Sequence, residues 1–311
     1  MARHVRISNL SISPQRVDTN LDYPFMVEAV RNHLDRCIQK VLPDKPDLIV
    51  LPEVCDRPAN LPGDRNIAYY KARGSKILDY CRETARKYSC YMAYSSYIER
   101  SGKWTNSTVI LDRRGKTAGT YDKNHLVIEE NTELGAMYGD RTPLIKCDFG
   151  TVGCAICFDL NFDELRLKYV KARPDLILFC SMYHGGLMQA YWAYSCRAHL
   201  VAATATRPGT IISPVGSVIA STTNYFEYVT ATVNLDCCVA HLDYNWEKFD
   251  AMKKRYGTGI KIEDPGYLGS VLISCEMEKK TVKDLVKEFH IELLDDYFAR
   301  ALAHRRSRLK T

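Results

Sequence analysis

No run in this chain approaches the ~20 consecutive apolar residues of a membrane-spanning helix. The opening, Met1-Ala2-Arg3-His4-Val5-Arg6, has no apolar core of the kind a secretory signal needs, and Val5 to Ile12 alternates instead as an opening strand does. Low-complexity segments and short repeats are also missing. There is no HExxH pattern and no pair of cysteine knuckles, which argues against a zinc site. No RNP, zinc-finger or basic-zipper pattern is present either. Together these absences predict a soluble, cytoplasmic protein that uses no metal and no cofactor and has neither membrane nor nucleic acid as a partner.

The charge balance is unremarkable in size but uneven in place. A net charge of +6 is modest for 311 residues, yet His304, Arg305, Arg306, Arg308 and Lys310 crowd the end of the chain. Without a recognition pattern beside it, such a cluster reads as a solvated helix end. The twelve cysteines are irregularly spaced, and no secretory signal accompanies them. Cys154 and Cys157 form a C-x-x-C pair, but neither a thioredoxin-like context nor a second ligand pair supports a redox or zinc reading. Most of the cysteines are therefore expected to be reduced and buried.

One thiol stands apart. In GCAICFDLNFDEL, Cys157 sits where the small apolar run 151–156 gives way to an amphipathic stretch carrying Leu160, Leu165, Leu167 and Val170. A thiol at a strand-to-helix turn lies near backbone N–H groups and the positive end of a helix dipole, a setting that favours the thiolate. Upstream, Asp47-Leu48-Ile49-Val50-Leu51-Pro52-Glu53 reads as a buried strand ended by Pro52, with Glu53 at its C-terminal edge. Between them, Tyr121-Asp122-Lys123-Asn124-His125-Leu126 follows a hairpin-like run that turns at Gly115 and puts Lys123 at a third strand end.

LIVLPE, YDKNHL and GCAICFDLNFDEL, in that order and with the key residues 70 and 34 positions apart, resemble the three signatures of the nitrilase superfamily, the carbon–nitrogen hydrolases. The resemblance covers about residues 4–235. It implies a four-layer α-β-β-α sandwich, with Cys157 as nucleophile, Glu53 as general base and Lys123 as the cation that stabilises the oxyanion with the backbone N–H of Phe158. It also implies a second glutamate after the lysine; Glu133, six residues before Gly139, fits the glutamate-then-glycine loop better than Glu130. Glu164 falls where the family places a structural glutamate. Cys157-Phe158-Asp159 differs from the Cys-Trp-Glu of nitrile-cleaving members and is closer to the amidase and carbamoylase branches. The implied partner is a small-molecule amide or carbamoyl substrate, and homo-oligomerisation, as a dimer or higher, is expected.

Such chemistry is coherent in itself. A thiolate splits attack on an amide carbonyl into acylation and deacylation, and a carboxylate can shuttle the proton. Tyr183, His184 and Arg207 are the candidate substrate-binding side chains, the first two in a glycine-containing loop after the strand 175–181. Nitrile hydrolysis or amide transfer by the same three residues, or a scaffold acting through its C-terminal helix, are the alternatives. The expected organisation is a catalytic domain over 1–239 and a C-terminal arm and helix over 240–311. Within the latter, Leu285, Val286, Phe289, Leu293, Leu294, Tyr297, Phe298 and Leu302 recur at helical spacing, which suits an oligomerisation element.

Overall fold

The computed structural model describes residues 2–206 and 208–309. They form two compact units, Val5–Thr232 and a smaller one built from Val233 onward with the residues before Val5. The larger unit opens with β1 (His4–Leu10), α1 (Tyr23–Gln39), β2 (Leu48–Val50), α2 (Asn66–Arg73), α3 (Lys76–Tyr88), β3 (Tyr91–Arg100), β4 (Lys103–Leu111) and β5 (Thr117–Asp122). It continues with α4 (Ile128–Thr132), β6 (Ile145–Cys147), β7 (Gly150–Ile156), α5 (Asp163–Ala172), β8 (Leu176–Ser181), α6 (Met188–Cys196), β9 (His199–Thr204), β10 (Thr210–Ile212), β11 (Val218–Ser221) and β12 (Tyr228–Asn234).

The strands make two six-stranded sheets, ordered β12-β1-β2-β3-β4-β5 and β11-β10-β9-β8-β7-β6. In each, three central strands run parallel: β1, β2 and β3 in one, β7, β8 and β9 in the other. Successive residues of a strand point to opposite faces, so each sheet can be apolar on both sides. On the outer face of the first sheet, Ile49, Met92 and Tyr94 pack with Val30, Leu34, Ile38, Ile77 and Ala85 of α1 and α3. Each fully buried aliphatic side chain of this layer contributes roughly 1.5–3 kcal/mol. On the second sheet, the Tyr169 hydroxyl of α5 bonds the Cys154 backbone, and Trp192 of α6 donates to Leu160 O at 2.9 Å. The inner faces meet directly. Asn9 Nδ2 donates to Ala202 O at 2.9 Å, and Thr204 N–H donates to Ser11 Oγ at 3.2 Å. This is the four-layer arrangement expected from the signatures.

The helical stretch between β2 and β3 is two helices, because Gly74 adopts φ +52° and closes α2. No two of the twelve cysteines are joined in a disulfide among the described residues, and eight of them are buried.

The smaller unit is β13 (Cys237–His241), α7 (Trp246–Tyr256), β14 (Ile260–Glu263), β15 (Ser270–Cys275), α8 (Val282–Glu288) and α9 (Leu294–Arg308). Its antiparallel sheet, ordered β13-β15-β14, shares a core of Ala240, Phe249, Met252, Ile273 and Leu285 with the helices. The polar stretch that reads as an extended arm is thus a folded segment: α7 turns Phe249 and Met252 inward and its charges outward. The long apolar stripe near the end is split at His290, φ +50°, into α8 and α9. Leu285 and Leu294 are buried, whereas Phe298 and Leu302 are exposed.

Candidate active site

The C-terminal ends of two parallel strands from opposite sheets carry Glu53 and Cys157. Glu53 follows β2, where Pro52 cannot continue the ladder, and Val54 turns the chain away at φ +49°. A β-branched residue in the left-handed region is strained, and its surroundings must hold it there. The hold is the buried Asp56–Arg73 pair at 2.7 Å, which also engages Tyr94 and Ser96, with Arg73 bonded to Tyr97 O at 2.8 Å. Cys157 follows β7 and opens a 3₁₀ turn at φ +48°.

Lys123 comes from the end of β5, and its N–H donates to Asn106 O of β4 at 2.8 Å. Only 2% of its side chain is exposed, so its charge must be matched internally. Two carboxylates do so. Lys123 Nζ lies 3.0 Å from Glu53 Oε1 and 2.6 Å from Glu130 Oε2. Burial alone would lower the lysine's pKa, but Glu53 and Glu130 outweigh it and the net shift is upward. Asn106 Nδ2 donates to both glutamates, at 2.8 Å to Glu53 and 2.7 Å to Glu130. Glu53 Oε2 accepts from the Met182 N–H at 3.0 Å, which ties it to the end of β8.

Glu130, not Glu133, is the second glutamate of this cluster. At the start of α4 it reaches back to the Val127 N–H at 3.0 Å and accepts from the Tyr97 hydroxyl at 2.7 Å. Burial raises its pKa, but Lys123 and the hydrogen bonds from Lys123, Tyr97 and Asn106 bring it below the ordinary carboxylate range. Glu133 lies just beyond α4, with its side chain in solvent. Gly139 has a different reason to be glycine: a Cβ there would stand 2.1 Å from Asp122 O. Its N–H donates to Lys123 O at 2.8 Å, so the loop closes over the lysine's backbone.

The Cys157 thiol is not the ready thiolate that its turn suggests. Burial first, then the Glu53 carboxylate, push its pKa up to about 12, against the pull of Lys123 and a hydrogen bond with Ser181. The thiol also hydrogen-bonds Glu53. At pH 7 a group of this kind is ionised in roughly one molecule in 10⁵, so its proton has to be taken by a base.

Tyr183 is half-buried, and its hydroxyl accepts from Asn161 Nδ2 at 3.1 Å. Burial raises its pKa, with Cys157 and Glu53 pushing the same way, which puts it within electrostatic reach of both. His184 accepts from the Gly186 N–H through Nδ1 at 3.1 Å. Its Nε2 is buried without a partner among the described residues. Phe158 is partly exposed and packs edge-on against Phe162 at 5.0 Å. Arg207 lies outside the described residues. Glu164 accepts from His125 Nε2 at 2.8 Å. Sequence reasoning missed Asn106, which sits among the hydroxyl residues Thr105, Ser107 and Thr108 of β4 with nothing to single it out, and the buried Asp159.

The Carbon-nitrogen hydrolase family matches residues 10–240 of the chain. The mouse deaminated glutathione amidase is 27% identical over 168 residues, covering 50% of this chain and 52% of that protein, so the chain spans about half the length of that curated relative. The Caenorhabditis elegans NitFhit structure superposes with a TM-score of 0.64 at 20% identity, over 82% of this chain and 64% of that one. Saccharomyces cerevisiae Nit3, described as a member of the nitrilase superfamily, gives a TM-score of 0.61 at 16% identity, over 82% and 94%.

Proposed function

The chain belongs to the carbon–nitrogen hydrolase family of the nitrilase superfamily, and we propose that it hydrolyses the C–N bond of a small amide or N-carbamoyl compound through a Cys157 acyl-enzyme. The observation that carries this reading is the buried Glu53–Lys123–Glu130 network, bridged by Asn106, that meets a protonated thiol at Cys157. Glu53 takes the thiol proton as sulfur attacks the carbonyl carbon. The oxygen of the tetrahedral intermediate is stabilised by the Lys123 ammonium and the Phe158 N–H. An ammonium has three protons, and two point at carboxylates, which leaves the third for the oxyanion. The proton on Glu53 passes to the departing nitrogen. Glu53 then activates the water that cleaves the thioester and restores the thiol.

Naming of the mouse relative as an amidase favours an amide over a nitrile. Propionamide, glutaramate and N-carbamoyl-β-alanine would be offered to the protein with ammonia release as the readout. Intact-mass spectrometry would look for an acyl adduct that disappears in Cys157→Ala. Ammonia released only from propionitrile, or adduct-free turnover, would remove this reading.

Homo-oligomerisation through the smaller unit is proposed alongside, because α9 carries Phe298 and Leu302 exposed at i, i+4 spacing. Replacing both by Glu should lower the mass measured by light scattering.

A further inference from the structure

Cys157 and Lys123 sit on loops from different sheets, one after β7 and the other after β5. One fully buried carboxylate joins these loops. Asp159 accepts from the Tyr121 hydroxyl at 2.7 Å, the His125 N–H at 2.8 Å and the Ile156 N–H at 2.9 Å. Its Oδ1 also lies 2.9 Å from His125 Nδ1. Two of these partners flank Lys123, two residues to either side, and a third directly precedes Cys157.

The His125 ring is held on three sides. Nδ1 faces Asp159, Nε2 lies 2.8 Å from Glu164 Oε1, and the ring stacks on Phe162 with centroids 3.9 Å apart and planes 5° from parallel. A carboxylate only accepts, so a ring placed between two of them is set to donate from both nitrogens, as the imidazolium form does. The charged groups facing it are Asp159 and Glu164; the Tyr121 hydroxyl shares the first. Burial works against this charge, but the hydrogen bonds to Asp159 and Glu164 outweigh burial and raise the pKa of His125.

We propose that Asp159 and His125 are a positioning couple that locks the cation loop to the nucleophile turn, and that the lock is tightest with His125 protonated. It rests on the reading of Cys157 and Lys123 as catalytic groups. The turn needs such a lock because Cys157 is a non-glycine residue at positive φ, which its surroundings must impose. When His125 loses its second proton, one nitrogen turns a lone pair toward a carboxylate. The exposed Glu164 can swing away and the buried Asp159 cannot, so the ring keeps its Nδ1–H on Asp159 and the lock slackens.

The test uses the full chain with propionamide as substrate, from about pH 5 to about pH 9. Hydrogen exchange is followed over segments 121–126 and 154–162, and the His125 ring is titrated by NMR. Asp159→Asn should lower kcat on the order of 100-fold with KM within about threefold, because misplacement acts on the chemical step more than on binding. Both segments should exchange faster together. His125→Gln should lose the alkaline limb of the wild-type kcat profile. Glu164→Gln, at an exposed site that carries no folding risk, should move that limb and the His125 titration to lower pH. Wild-type kcat in Asp159→Asn, faster exchange in one segment only, or an unmoved limb in Glu164→Gln would overturn the couple. Should Asp159→Asn not fold, the other two variants decide. Absence of propionamide turnover in the wild type would count against the proposed activity. The exchange and NMR results then decide the couple by themselves: it stands if Glu164→Gln lowers the His125 midpoint and His125→Gln speeds exchange in both segments, and falls otherwise.

Discussion

Lys123→Met removes the one positive charge between two buried carboxylates. At 3.0 and 2.6 Å, each attraction amounts to roughly 5–6 kcal/mol at an effective dielectric of about 20. The net loss is smaller, because desolvating the lysine offsets much of it in the wild type. Breaking a buried pair by removing one partner typically costs about 3–5 kcal/mol, a large share of the about 5–15 kcal/mol that holds a domain together. The pH dependence gives the sign. In the wild type Lys123 and its hydrogen bonds hold the pKa of Glu130 down, so that contribution is present above the unfolded value and lost as pH falls through the folded one. Without the lysine, burial raises the pKa of Glu130, and the variant gains stability as the carboxyl protonates. The wild-type-to-variant gap in urea unfolding should therefore be widest near neutrality and narrow below about pH 5. Adding Glu130→Gln to Lys123→Met should recover about 1–3 kcal/mol, since the pair couples directly. Turnover should fall at least ~100-fold in either background. A constant gap from acid to neutral pH, with no recovery in the double variant, would refute the argument that these charges balance one another.

Cys157→Ala should abolish turnover and the acyl adduct, while Cys154→Ala, at a fully buried thiol behind the strand, should keep most activity. Labelling of Cys157 by iodoacetamide should still be rising at alkaline pH, because burial holds its pKa near 12, well above the ~8.5 of a free thiol. Glu130→Gln should slow amide hydrolysis on the order of 10–100-fold, whereas Glu133→Gln should change stability by less than about 0.5 kcal/mol and leave the rate alone. Gly139→Ala should destabilise by at least about 1–3 kcal/mol in thermal unfolding, because the clash is with backbone and cannot be relieved by a rotamer. Dialysis against a chelator should leave the rate unchanged, since nucleophile, base and electrophile are all side chains; recovery with one divalent ion after a loss would overturn that.

Which parts were legible in the sequence follows from what each depended on. The strand-end positions of Glu53 and Cys157 were readable because strand ends are local: an apolar run stopped by Pro52, and another giving way to an amphipathic stretch. The choice between Glu130 and Glu133 was not, because it turns on how a helix of five residues is rotated, which no periodicity over so short a span can set. Asn106 depended on register. Between Ile110 and Leu111 the β4–β5 hairpin slips by one, so pairing changes from Leu111 with Thr117 to Ile110 with Gly119. Carried to the strand end, that slip sets Asn106 rather than Thr105 beside Lys123. A one-residue bulge is invisible in composition. The arm-like reading of 240–268 failed for a related reason. A short amphipathic helix that buries Phe249 and Met252 and exposes five charges looks polar on average.

The presence of two carboxylates on one lysine answers a problem that a single one would leave. In the resting site Glu53 and Glu130 share Lys123. On the mechanism proposed above, Glu53 becomes neutral once it has taken the thiol proton and attracts the ammonium less. Were it the only partner, Lys123 would be free to swing toward the new thiolate and quench the nucleophile by pairing with it. On that proposal Glu130 would prevent this. It accepts four hydrogen bonds, from Tyr97, Asn106, Lys123 and the Val127 N–H, and its pKa is held down, so it stays ionised while Glu53 cycles. Asn106 donates to both carboxylates and fixes their separation whichever protonation state Glu53 is in. On that proposal the lysine would stay pointed at the position where oxyanion charge develops, leaving Glu53 alone to move protons. On the proposed mechanism the division of labour between the glutamates follows from which donors each holds: all four on Glu130 are fixed, so it would anchor, whereas Glu53 has three besides the thiol and would react.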